Sequence, residues 1–159
     1  MVQIENLGRI IEEHPFFKGL PAELLELLSG CAANERYEAE QYIFREGAEA
    51  NKFYLVRHGS VAVEMHVPGR PPLVIETIQE DEILGWSWLV PPYRWSFDAR
   101  ATRLTRVVSL DAVCLRRKME ADPRLGYDVL KRFVPIMGHR VSAARMQMLD
   151  LYAPPSDRR

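Results

Sequence analysis

Apolar residues change their period twice along this chain. Ile4, Leu7, Ile10 and Ile11 recur at helical spacing within residues 3–13, and the pattern stops at His14-Pro15. A second helix is predicted from Ala22 to Ser29, with Pro21 suited to its first turn and Gly30 to its end. From Arg36 the period becomes two. Tyr37, Ala39 and Gln41 alternate with charged neighbours, Ile43-Phe44 follow, and Gly47 suits a turn with positive φ. Phe53 and Leu55, then Val61, Val63 and Met65, flank Arg57-His58-Gly59-Ser60, which predicts a hairpin with Gly59 in its turn. Pro68-Gly69-Arg70-Pro71-Pro72 marks a second turn, Leu73, Ile75 and Thr77 alternate after it, and Ala99, Ala101, Val107 and Val108 mark later strands. Helical signals return at Asp111, an N-cap for a short helix toward Glu120, and at Asp122-Pro123, which opens a last helix reaching about Leu151. Pro135 lies inside that helix and is expected to kink it.

These elements predict a mainly β fold with flanking helices: an antiparallel β-roll, or jelly roll, with helices before it and a long helix after it. One domain is expected over residues 1–152, and the proline-rich polar tail 153–159 is expected to be disordered.

One segment breaks the rule that loops are polar. Gly85-Trp86-Ser87-Trp88-Leu89-Val90-Pro91-Pro92-Tyr93-Arg94-Trp95-Ser96-Phe97 contains all three tryptophans of the chain, and its prolines forbid a continuous helix or a central strand. Such a segment is folded against something, either as the wall of a ligand pocket or as a plug filling what would otherwise be one.

Composition narrows the function classes. With 47% hydrophobic and 27% charged residues the 159-residue chain is ordinary globular material. It has neither an apolar run long enough to span a membrane nor a signal-peptide pattern at its start. Cys31 and Cys114 lie in apolar-rich segments with no metal-binding spacing and read as small core residues, which points to a reducing, cytoplasmic compartment. The net charge of −1 conceals an asymmetry, with ten Lys/Arg against five Asp/Glu from Leu115 onward. That bias fits a solvated helix face better than a nucleic-acid surface.

The series Ile43-Phe44-Arg45-Glu46-Gly47 and Phe53-Tyr54-Leu55-Val56-Arg57-His58-Gly59-Ser60-Val61-Ala62-Val63 resembles the cyclic nucleotide-binding domain family, as found in bacterial regulators of the catabolite-activator type. The resemblance covers about residues 10–150. It implies that Gly85 to Ala99 takes the place of the phosphate-binding cassette, a short helix and loop inside the roll. In the family this segment reads Gly-Glu-aliphatic-small and, further on, Arg-Ser/Thr-Ala, the Glu holding the ribose hydroxyl and the Arg the cyclic phosphate. Here Gly85 and Ser96 fit, but Trp86 stands at the Glu position, Trp88 at the small one, Trp95 at the Arg and Phe97 at the alanine. Arg94 lies one residue off, where a shifted loop could return it to the phosphate.

Two charge-assisted contacts are thereby lost, at about 1.5–3 kcal/mol each, which removes about two to four decades of affinity. Ordinary cAMP or cGMP binding is therefore not expected. No cofactor is implied beyond a cyclic nucleotide or another small anionic or aromatic effector. For that effector the candidate ligand-binding residues are Gly85, Trp86, Ser87, Trp88, Arg94, Trp95, Ser96 and Phe97. A helix beginning at Gly85 would offer free N–H groups to an anion. The competing reading is that the rings plug the roll.

The last helix carries an apolar stripe of Leu130, Phe133, Met137, Val141, Ala144, Met148 and Leu151. In the family such a helix commonly pairs with its twofold mate, so these residues are the candidate homodimer seam. The alternative is that the stripe packs on its own roll. Arg140, Ser142 and Arg145 lie on the same helix, from which the resemblance implies a reach toward the base, but they are read as solvent-exposed. Family regulators carry a helix-turn-helix after this helix. Only eight residues follow Leu151, so no direct DNA binding is expected from this chain, and its output is expected to pass through a protein partner. The four histidines do not make the His-x-His pair of cupin metalloenzymes, and no P-loop, nucleophile elbow or dinucleotide motif occurs, so a non-catalytic sensor module is expected.

Overall fold

The computed structural model describes the backbone of residues 2–152 and the side chains of residues 7–150. Two helices, α1 (Val2–Glu13) and α2 (Ala22–Gly30), lead into eight strands. These are β1 (Ala32–Tyr37), β2 (Tyr42–Phe44), β3 (Lys52–His58), β4 (Val61–Met65), β5 (Leu73–Ile78), β6 (Ile83–Leu84), β7 (Asp98–Ala101) and β8 (Thr105–Asp111). Helices α3 (Ala112–Ala121) and α4 (Pro123–Tyr152) close the chain. The strands form two four-stranded antiparallel sheets, ordered β1-β8-β3-β6 and β2-β7-β4-β5, which face each other as a β-roll.

The roll corrects one reading of the sequence. β3 and β4 are not a hairpin: β3 pairs with β6 and β8, whereas β4 pairs with β5 and β7. Gly59 is instead the corner where the chain crosses between sheets. Its φ is +102°, and a Cβ there would stand 2.4 Å from Thr105 Oγ1 and 2.5 Å from the Leu104 carbonyl oxygen. The turn at Pro68–Pro72 does close a hairpin, with Met65 opposite Leu73.

Helix signals hold where local chemistry sets them. Asp111 caps α3 by accepting from the Cys114 N–H at 2.9 Å. Pro123 opens α4, which continues through Pro135 for 30 residues. The first half of α4 is anchored in the core. Phe133 is 1% exposed and meets Phe16, Phe53 and Trp88 edge-on at ring-centroid distances of 4.8, 5.5 and 5.3 Å. Phe133 is therefore unavailable to a dimer seam. Its place in the apolar stripe reflects packing on its own roll. Arg132 fixes the same half of α4 by donating to the carbonyls of Phe16 (2.8 Å) and Lys18 (3.0 Å). The side chain of Leu151 and the tail 153–159 lie outside the described residues. No described helix is long and apolar enough to cross a membrane.

Candidate functional site

The aromatic segment crosses the mouth of the roll from β6 to β7. It contains no α-helix, only a 3₁₀ turn at Ser87–Leu89, so the helix expected to start at Gly85 and its anion-binding end are not formed. Gly85 has φ +98°, and a Cβ on it would stand 2.7 Å from the Trp95 ring, so both backbone and packing require glycine there. The second half of the segment is laced to the 47–50 loop through backbone bonds. Gly47 N–H donates to Trp95 O (2.9 Å), Trp95 N–H to Ala48 O (3.0 Å) and Ala50 N–H to Tyr93 O (2.7 Å). Arg116 of α3 holds the segment from behind, donating to Trp88 O at 2.9 Å and lying 4.1 Å over the Tyr93 ring.

The three tryptophans separate into different tasks. Trp88 is fully buried, stacked on Phe53 at 4.9 Å, and faces the core rather than the mouth. Trp95 is 5% exposed and stacks on Phe44 with centroids 3.7 Å apart and planes 6° from parallel. Trp86 is half-buried and lines an open cavity. Arg94 is exposed and turned outward, donating to Gly47 O at 2.8 Å, so it does not replace the missing phosphate contact.

That cavity, about 480 Å³, lies between the second sheet, the aromatic segment and the second half of α4. Gly85, Trp86, Ser87, Trp95, Ser96 and Phe97 border it, as do Met137, Val141, Ala144 and Met148 from α4. Trp88 and Arg94 are not among its walls. The helix stripe therefore splits: Phe133 is core, and Met137, Val141, Ala144 and Met148 reach the cavity mouth. Leu130, Val141 and Met148 nonetheless keep 44, 51 and 56% of their surface in solvent.

Two polar residues at the mouth were not legible as site residues. Glu76 and Arg140 meet at 3.0 Å, and Arg140, only 14% exposed, also donates to the Ile83 carbonyl. Arg140 is thus a latch between α4 and the roll, not a solvated residue. Gln147 adds a second latch to Ile75 O at 3.3 Å. Burial pushes the Glu76 carboxyl above the usual range, with Arg140 opposing that rise. Unbroken alternation with Ile75 and Thr77 would turn Glu76 to the opposite face from Ile75. A register shift between β4 and β5 at this point, of the kind a β-bulge produces, re-aims it. Among the described residues no group of three or more His, Cys, Asp or Glu is placed to hold a metal ion.

The model of the cyclic nucleotide-binding domain matches residues 34–122. The chain belongs to the cyclic nucleotide-binding domain family. Human cGMP-dependent protein kinase 2 is 31% identical over 112 residues, which are 70% of this chain but only 14% of the kinase. Among solved structures, a cyclic nucleotide-binding domain from Methylobacillus flagellatus KT superposes with a TM-score of 0.75 at 18% identity, covering 95% of this chain and 85% of that one. The sensor domain of the transcriptional regulator DNR from Pseudomonas aeruginosa gives 0.72 at 17% identity, over 89% of this chain and 95% of that one. Within this cyclic nucleotide-binding domain, the position that the resemblance gives to the phosphate-binding arginine is taken by Trp95. Its ring lies flat on Phe44.

Proposed function

We propose that this domain is a non-catalytic, cytoplasmic sensor whose roll takes a small, mainly apolar effector instead of a cyclic nucleotide. The observation that carries this reading is the division of the mouth into a filled corner and an open one. The Trp95–Phe44 stack fills one corner, at the position that the resemblance gives to the phosphate-binding arginine, and about 480 Å³ beside it stays open under α4. That volume falls in the range of about 300–1,000 Å³ usual for small-molecule sites. Its walls are chiefly aromatic, aliphatic and thioether side chains, with the charges at Glu76 and Arg140 already neutralising each other. Trp86 and Phe97 offer ring faces to a flat ligand. An effector seated there would touch Met137, Val141 and Ala144, so occupancy is reported through α4.

A titration of tryptophan fluorescence tests this. An apolar fluorescent probe such as N-phenyl-1-naphthylamine is expected to saturate at micromolar concentration and to be undisturbed by millimolar cAMP or cGMP. Absence of any saturable probe binding refutes the effector reading. Displacement of the probe by micromolar cAMP refutes its apolar character.

A second reading, in which the domain acts through its surface, is favoured by the exposed apolar residues of α4. Tyr127 and Val134 are 64 and 60% exposed, and Met146 and Leu149 are each 64% exposed. Tyr127 and Val134 fall on one side of the helix with Leu130, Val141 and Met148 and offer a seam for a second copy or for a protein partner receiving the signal. Sedimentation at high concentration is expected to give twice the 18.4 kDa chain mass, and a monomer there removes the homodimer.

A further inference from the structure

We propose that Cys31 and Cys114 are a modification site: a thiol pair that peroxide or a disulfide oxidant closes into a reversible intramolecular disulfide. The two are far apart in sequence, separated by 83 residues, yet their sulfurs lie 3.0 Å apart as free thiols. Backbone structure sets this proximity. Cys31 ends α2, and its carbonyl accepts from Asp111 N–H at 3.0 Å where β1 and β8 pair as Ala32 opposite Leu110. Asp111 in turn caps the first turn of α3, which carries Cys114. One ladder end and one helix cap therefore hold both sulfurs in place, with no loop to reorganise before a bond forms. Both residues are half-buried, so a small oxidant reaches them.

The two sulfurs are not equivalent. Burial, together with the hydrogen bond to Cys114, pushes the Cys31 thiol up to about 11. Cys31 keeps its proton and donates it toward Cys114, which makes Cys114 the sulfur that reacts first. In the first step the Cys114 thiolate attacks a peroxide oxygen, the O–O bond breaks, and a sulfenic acid and hydroxide result. In the second the Cys31 sulfur attacks the sulfenic sulfur, forming the S–S bond and expelling the hydroxyl, which leaves as water with the Cys31 proton. The pair loses two electrons and two protons, and the peroxide is reduced to two waters. Glutathione disulfide serves equally, by two successive thiol–disulfide exchanges.

The bond would close a loop containing the whole roll and tie the end of α2 to α3. Through Arg116, α3 also holds the Trp88 carbonyl, and it leads directly into α4. The site is independent of what the roll binds.

Native protein is treated with stoichiometric hydrogen peroxide or with glutathione disulfide, then analysed by thiol titration after unfolding, by intact mass and by non-reducing electrophoresis. Both thiols are expected to disappear together, with the loss of two hydrogens, unchanged monomer mobility and full reversal by dithiothreitol. The oxidised form is expected to melt about 5–15 °C higher than the reduced one, because the cross-link constrains the unfolded chain. Cys31→Ser is expected to stop at a glutathione adduct on Cys114, an adduct the native pair does not accumulate. Unreacted thiols, disulfide-linked dimers, oxygen addition without cross-linking or a stable adduct on the native protein would each overturn the proposal.

Discussion

Trp86, Trp88 and Trp95 lie within ten residues, yet their truncation to alanine should have two different consequences. Trp88 is fully buried between Phe53 and Phe133, at 4.9 and 5.3 Å, and Trp95 is 5% exposed on Phe44. Removing either ring deletes its transfer free energy and leaves a cavity that a closed roll refills poorly, which costs about 3–5 kcal/mol. For a domain of this size each kcal/mol lowers Tm by about 2–4 °C, so Trp88→Ala and Trp95→Ala should each lose about 6–20 °C. Trp86 is half-buried and borders space that is already open, so Trp86→Ala should cost about 1 kcal/mol. It should instead weaken binding of the apolar probe at least tenfold, because a ring face of the site is gone. Thermal melts and urea titrations followed by circular dichroism give the stabilities, and the tryptophans left in each variant report the probe. Equal destabilisation by all three substitutions, or a larger loss for Trp86→Ala than for Trp88→Ala, would refute the assignment of plug and wall.

Arg140→Met should destabilise the protein by about 1–3 kcal/mol, the range being reduced because Glu76 keeps a third of its side chain in water. Adding Glu76→Gln should relieve the unpaired charge and restore part of that loss, whereas amide exchange across Val141–Gln147 should rise in both variants, because each lacks the Arg140 latch. Gly85→Ala combines a φ of +98° with a contact 2.7 Å from the Trp95 ring, and a loss of at least 2 kcal/mol in urea unfolding is expected. His14 is 6% exposed with Nδ1 accepting from Phe16 N–H, and burial holds its pKa below the usual value despite Asp81. The unfolded chain then takes up this proton at higher pH than the native one, so stability is full above the ordinary histidine pKa of about 6.5 and falls as pH drops through it toward the native value. His14→Asn, which keeps an acceptor for Phe16, should flatten the change in Tm between pH 7.5 and 5.5, and an unaltered slope excludes His14 as its source.

Sequence alone determined what depends on neighbours along the chain. The helical spacing around Leu7 and Ile11, the Asp111 cap, the Asp122-Pro123 start of α4 and the alternating runs of the roll are all local, since backbone dihedrals and side-chain direction repeat with fixed periods. The family was legible for the same reason, because turn glycines and strand residues keep their order. What the sequence left open was every choice between partners of similar local cost. The residues around Gly59 read as a hairpin until the sheet order sent β3 and β4 to opposite sheets. Phe133 and Met137 share one stripe, but one enters the core and the other reaches a cavity mouth, because a cavity opens between α4 and the roll beyond Phe133. Arg94 and Trp95 are neighbours, and only the lacing of the segment to the 47–50 loop put the ring inward and the cation outward. Glu76 joins Ile75 at the cavity through a register shift that the sequence pattern does not show, and Cys31 and Cys114 were two unrelated core residues until a ladder end and a helix cap brought them together. Burial, ion pairing and cavity shape are sums over residues distant in sequence, and tertiary packing alone fixes them.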